Sequence, residues 1–204
     1  MNTLSLNIRR FSAVMLLAAS AAASALPTID KPAPAFTAVD SNGKSVSLEK
    51  FAGKTVVLEW TNDQCPFVRK HYDSGNMQAL QKTYTGEDVV WMSVISSAKG
   101  KQGYVTGEQA NELSKSRGAV PSYVLLDPEG TLGKMYGAKT TPHMYIIDGK
   151  GELRYMGAID SIRSVDPDDI PKATNYVVQA MTELDAGKPV SEPQTRAYGC
   201  SIKY

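Results

Sequence analysis

Lys54-Thr55-Val56-Val57-Leu58-Glu59-Trp60-Thr61-Asn62-Asp63-Gln64-Cys65-Pro66-Phe67-Val68 is the stretch on which the fold turns. Its first seven residues are mostly apolar and β-branched without clean alternation, as in a strand buried on both faces of a sheet. Four polar residues follow. Cys65-Pro66 then opens an expected helix, where proline fits the first turn because its missing N–H leaves no bond unmade. A cysteine there meets unpaired backbone N–H groups and the positive end of the helix dipole. Both favour the thiolate, which is the nucleophilic form. Arg69, Lys70 and His71 follow within two turns and are expected to add positive potential. An isolated cysteine is more often a core residue; its place between a buried strand and a helix start turns the reading toward chemistry.

Working outward, Ala35–Val39 and Ser45–Leu48 alternate around Asn42-Gly43, a strong hairpin signal. Further strands are expected at Asp88–Ser96, Ser122–Asp127, His143–Asp148 and Glu152–Met156. Between them, 65–84 reads as one or two helices broken near Gly75. Thr106–Arg117 reads as a helix with Thr106 as N-cap and Gln109 three residues on, a capping-box pattern. A last helix is expected over Asp168–Ala186, ended by Gly187. Strands alternating with helices predict an α/β fold, with a central mixed sheet flanked by helices and an N-terminal β-hairpin. After Lys188 the composition is that of a linker, and Gly100–Gly103 reads as an exposed, mobile loop.

The chain has 204 residues, with 22 basic against 21 acidic side chains, so it carries no electrostatic footprint for nucleic acid. Residues 1–25 read as a cleavable signal peptide: Arg9-Arg10, an apolar run over Phe11–Ala23 too short to span a bilayer, and Ala23-Ser24-Ala25 as the cleavage site. That divides the chain into a signal segment 1–25, a domain 26–187 and a tail 188–204. It also predicts a periplasmic or secreted protein with no stable membrane insertion after processing. Export places the two cysteines, Cys65 and Cys200, where disulfides persist. Two cysteines exclude a disulfide-dense scaffold and any all-cysteine metal site. His71 and His143 with Met77 and Met144 are the candidate soft ligands beside Cys65, but scattered methionines are usually core, so no metal and no cofactor is expected. Cys200 lies ten residues beyond Val190, a reach of about 33 Å if extended, enough to return to any face of such a domain.

These residues resemble the thioredoxin-fold redoxins, a group that includes the alkyl hydroperoxide reductase/thiol-specific antioxidant proteins and the periplasmic thioredoxin-like reductases. The resemblance runs from Pro34-Ala35-Phe36, Asn42-Gly43-Lys44, Ser47-Leu48 and Gly53-Lys54, through Trp60 and Cys65-Pro66, to Tyr136-Gly137-Ala138 and Thr141-Pro142 before Tyr145–Asp148. It implies a cis Thr141-Pro142 bond facing Cys65. It also implies substrate contacts from Trp60, Pro66, Phe67, Thr141 and Pro142, with Trp60 and Phe67 walling a groove shaped by Pro142. Two departures stand out. The position three residues after Cys65 holds Val68, so no local Cys-x-x-Cys disulfide forms. Peroxiredoxins carry a proline seven residues and a hydroxyl residue three residues before their cysteine; here Leu58 and Asn62 stand there, with Thr61 one position off. The resemblance therefore implies an exported thiol-dependent oxidoreductase with Cys65 as nucleophile on a small peroxide or on a protein or small-molecule disulfide. It implies that the oxidised cysteine is resolved by Cys200, in one chain or across a homodimer, or else by an external thiol, with an external thiol as the reductant. The alternative is a binding module of the same fold held by a structural Cys65–Cys200 disulfide that resists mild reductant.

Overall fold

Val56–Trp60 forms β3 with all five residues buried, because helices cover both of its faces. In the computed structural model residues 26–204 are described, and the expected signal peptide over 1–25 lies outside them. The hairpin strands β1 (Thr37–Asp40) and β2 (Ser45–Ser47) lead through a 3-10 turn, Leu48–Phe51, into β3. Helices α1 (Pro66–Asp73) and α2 (Asn76–Gly86) follow. They are separated at Gly75, whose φ of 76° is the left-handed conformation that glycine adopts without a Cβ clash. Then come β4 (Val90–Ile95), α3 (Gly107–Ser116), β5 (Tyr123–Leu126), α4 (Thr131–Tyr136), β6 (Thr140–Thr141), β7 (His143–Ile147) and β8 (Leu153–Gly157). The chain closes with α5 (Tyr176–Asp185) and β9 (Cys200–Ser201).

The main sheet has the order β2-β1-β5-β4-β3-β7-β8. β3, β4 and β5 run parallel, while β1, β2, β7 and β8 pair antiparallel, so the sheet is mixed as expected. The period-2 alternation along β3 divides its side chains. Val57 joins a core with Val68 and Tyr72 of α1, Met77, Leu80 and Tyr84 of α2, and Val177, Ala180 and Met181 of α5. Val56, Leu58 and Trp60 face a second core with Leu132 and Tyr136 of α4.

The expected capping box at α3 is complete, with Gln109 N–H donating to Thr106 Oγ1 and Thr106 N–H to Gln109 Oε1. The single helix expected over 168–186 is instead two pieces. Pro171 has no N–H to continue the ladder, so Pro167–Lys172 is a 3-10 turn, and Asn175 restarts the helix by accepting from Val177 and Val178 N–H. The Gly100–Gly103 loop is not free either: Gly103 is buried and Asn62 Nδ2 donates to the Gln102 carbonyl.

The segment after Lys188, read as linker, is docked along its length. Pro193 and Thr195 pair with Met156, Thr195 Oγ1 accepts from Ala158 N–H, and Ile202 N–H donates to the Lys139 carbonyl. Beyond it, Ala98 N–H donates to the Lys203 carbonyl and Tyr204 Oη–H to the Ala138 carbonyl. Polar, proline-rich composition describes a segment with no periodicity; it does not report the backbone partners that such a segment finds. Among the described residues, no helix is long and apolar enough to cross a membrane.

Candidate active site at the Cys65 turn

Cys65 is the N-cap of α1, and Asn62 builds the turn that delivers it. Asn62 Oδ1 accepts from Gln64 N–H at 2.9 Å, and the Asn62 carbonyl accepts from Cys65 N–H at 3.1 Å. The Cys65 side chain is fully buried. Its S–H donates to the Thr141 carbonyl at 3.0 Å, across 76 positions of sequence, and the Thr141-Pro142 peptide bond is cis. Thr141 also pairs in register with Cys200, through the two-residue antiparallel ladder between β6 and β9. Both cysteines are unbonded, and Cys200 packs against the core that contains Cys65. Cys65, the cis-proline loop and the tail cysteine thus meet at one point.

The two thiols differ in ionisation. Burial raises the cost of charge on Cys65. The Cys200 thiol, the Val68 and Cys200 backbone N–H groups and the Thr141 hydroxyl all favour the anion and together hold Cys65 below its ordinary value. The Thr141 hydroxyl is buried without a hydrogen-bond partner, which leaves it available to the thiolate. Cys200 is pushed up to about 12, first by burial and then by its position beside Cys65. Donors to the charged form lower a thiol pKa and a neighbouring anion raises one, so the pair is poised with the charge on Cys65.

The expected cationic surroundings of Cys65 take another form. Arg69 is exposed and pairs with Asp73. Lys70 is fully buried, and its charge is neutralised by Asp160 at 3.2 Å. His71 is lowered to about 4 by burial, so it is neutral at ordinary pH. The thiolate therefore relies on hydrogen bonds from Cys200 of the tail, Val68 of α1 and Thr141 of β6 rather than on these three side chains.

Trp60 does not wall the groove. It is fully buried in the core on the opposite face of the sheet, where its indole N–H donates to Ser96 Oγ, which in turn donates to Asp127. Strand alternation places it there: Trp60 shares a face with Val56 and Leu58. Pro66 is exposed beside Cys65, and Phe67 is half-buried under Tyr198 of the tail, with ring centroids 5.7 Å apart. His143 packs against Tyr145 on the Trp60 face, whereas His71, Met77 and Met144 belong to the Cys65 face, so the two histidines do not converge.

Three contributors escaped sequence reading. Asp160 gathers Lys70, the Ile162 N–H and the Tyr198 hydroxyl, and so anchors the tail two residues before Cys200. Gly199 has φ of 138°, and a Cβ there would overlap the Thr141 carbonyl; only glycine lets the tail approach β6 so closely. Glu59 is buried in β3 and accepts from Tyr72, Gln81, Trp91 and Ser93, which fixes α1 and α2 on the sheet. A charged residue inside an apolar strand was the available signal for Glu59. Gly199 directly before Cys200 was the signal for the tail.

A strand, a turn, a cysteine N-cap and a facing cis-proline loop define a thiol site on a thioredoxin-like scaffold. The Redoxin family profile matches residues 28–176, and the chain belongs to that family. It is similar to an uncharacterized conserved protein from Geobacillus kaustophilus (26% identity, TM-score 0.75, covering 87% of this chain and 92% of that one). A hypothetical protein from Sinorhizobium meliloti is similar over 87% and 94% of the two chains, at 23% identity and a TM-score of 0.72. A putative thiol:disulfide interchange protein DsbE from Chlorobium tepidum shares the fold at 23% identity and a TM-score of 0.52, over 64% of this chain and 84% of that one. A search of curated proteins finds no match. Family membership supports a redox function in general terms. Cys200 lies beyond the matched span, so its role rests on the geometry of this chain.

Proposed function

We propose that the protein is an exported thiol–disulfide oxidoreductase in which Cys65 is the nucleophile and Cys200 the resolving cysteine. The observation that carries this reading is the β6–β9 ladder: the edge beside cis-Pro142 already holds an extended segment with its cysteine turned to Cys65. A cysteine-bearing substrate strand has the same shape, which favours disulfide over peroxide as substrate. The Cys65 thiolate attacks one sulfur of the substrate disulfide and expels the other as a thiolate, which takes a proton. Cys65 is then uncharged, so its effect on Cys200 disappears. Deprotonated Cys200 attacks Cys65 Sγ and releases the second substrate thiol. The substrate gains two electrons, and the protein ends as a Cys65–Cys200 disulfide. Support for export is the segment 1–25, with cleavage after Ala25.

Stoichiometric reaction with a disulfide-containing peptide and with hydrogen peroxide, run in parallel, tests the reading. Wild type should reduce the peptide and accumulate the intramolecular disulfide. Cys65→Ser should be inert, and Cys200→Ser should stop at a mixed disulfide on Cys65. Rapid peroxide consumption without peptide reduction would replace the substrate assignment. A Cys65–Cys200 bond that survives mild reductant would make the disulfide structural. Intact mass of protein recovered from its native compartment tests processing: a chain still carrying residues 1–25 would overturn the cleavage.

A further inference from the structure

Disulfide bonds are broken in line: the incoming thiolate approaches one sulfur from the side opposite the sulfur that leaves. The two sulfurs of this site differ sharply in whether such an approach exists. Cys65 has no exposed surface, lying between α1, the sheet and the Thr141 carbonyl. Cys200 keeps part of its surface open, on a strand only two residues long whose following residue, Ser201, is exposed. The fold also holds that strand from both sides, by Tyr198 to Asp160 before it and by Lys203 to Ala98 after it, so Cys200 need not leave its place to be reached.

On the reading that Cys65 and Cys200 form the working disulfide, we infer that the external reductant is a thiol that attacks Cys200, not Cys65, so that the tail cysteine is the port through which electrons enter the protein. In the first step a reductant thiolate bonds to Cys200 Sγ, the Cys65–Cys200 bond breaks, and its electron pair leaves on Cys65. A second reductant thiolate attacks the reductant sulfur of the mixed disulfide. The oxidised reductant departs, and Cys200 leaves as a thiolate and takes a proton. Two external thiols are oxidised to one disulfide, and two protein thiols are restored. The leaving-group chemistry agrees with the steric argument. The displaced Cys65 anion keeps the Val68 and Cys200 backbone N–H groups and the Thr141 hydroxyl as donors, whereas expulsion of Cys200 would put the charge on the thiol less able to carry it. Lys203 adds positive charge close to Cys200, which suits an approaching thiolate. Cys65 thus meets the substrate only when a substrate strand takes the place of β9 on β6, whereas Cys200 meets the reductant with β9 in place, and the same pair serves two partners in turn.

The experiment uses the oxidised wild-type chain and a small monothiol, 2-mercaptoethanol. The reaction is stopped by acid at low conversion, the freed thiol is alkylated, and the peptides are mapped by mass. The expected result is mercaptoethanol on the Cys200 peptide and the alkyl group on the Cys65 peptide, in roughly tenfold excess over the reverse. The reverse pattern, or equal amounts of both, overturns the inference and leaves the proposed function standing. If oxidation yields no Cys65–Cys200 disulfide at all, the proposed function fails and the inference falls with it. Time points extrapolated to zero conversion remove any contribution from Cys65 attacking the adduct and returning it.

Discussion

At Cys65, burial and hydrogen bonding pull one sulfur in opposite directions, and the donors from Cys200, Val68 and Thr141 prevail. With Cys200→Ser only one thiol remains, so ultraviolet thiolate absorbance followed against pH reports Cys65 alone. Its midpoint should lie below the ordinary value of about 8.5. Removing the otherwise unpartnered Thr141 hydroxyl with Thr141→Val in that background should move the midpoint upward, by under about one unit, because one of several donors is lost. An unchanged midpoint would remove Thr141 from the thiolate's support. The place of Cys65 at the start of α1 was readable from sequence because a helix start after a buried strand is a local pattern. The internal pairing of Lys70 was not legible, because it depends on Asp160, some 90 positions away in the chain, and the neutral state of His71 was not, because it follows from a burial that outweighs the pull of that same carboxylate.

Among the elements, the tail shows best what sequence reading could and could not supply. β3, β4, β7, the β1–β2 hairpin and the α3 cap each follow from residues adjacent in sequence, and each lies where the pattern places it. β9 has two residues and no periodicity; it exists because β6 offers it an unpaired edge. Gly199→Ala tests that dependence. The added Cβ meets the Thr141 carbonyl and the φ of 138° is unfavourable for alanine, so the ladder should break while the main sheet persists. Hydrogen exchange at the Ile202 amide should speed up, and oxidation should yield the Cys65–Cys200 disulfide more slowly, with amides in β3 and β4 unchanged. Loss of protection throughout would show the tail to be part of the core instead. Thr106→Ala, which removes half of the capping box of α3, should cost about 1 kcal/mol in denaturant unfolding and leave the thiol chemistry unaffected.

At the scale of the whole molecule, the two cores on either side of the sheet each enclose a histidine lowered to about 4 by burial, His71 in one and His143 in the other. In the unfolded chain both take up protons near the ordinary value of about 6.5, whereas the folded chain resists until about 4. The unfolded state then holds more protons across that window, so stability falls as pH drops through it, by at most about 3 kcal/mol for each histidine. Denaturant midpoints measured across the window should show this slope, and His71→Gln with His143→Gln should flatten it. A slope unaffected by both substitutions would assign the acid sensitivity to carboxylates. The β6–β9 ladder has a further consequence, which concerns competition. A strand tethered to its own groove acts at an effective concentration on the order of millimolar. A free polypeptide present at micromolar levels must therefore bind β6 roughly a thousandfold more tightly than β9 does to displace it half of the time. On the proposed function, polypeptide substrates are thereby screened by a built-in rival, whereas a small thiol that reaches Cys200 with the ladder intact faces no such contest.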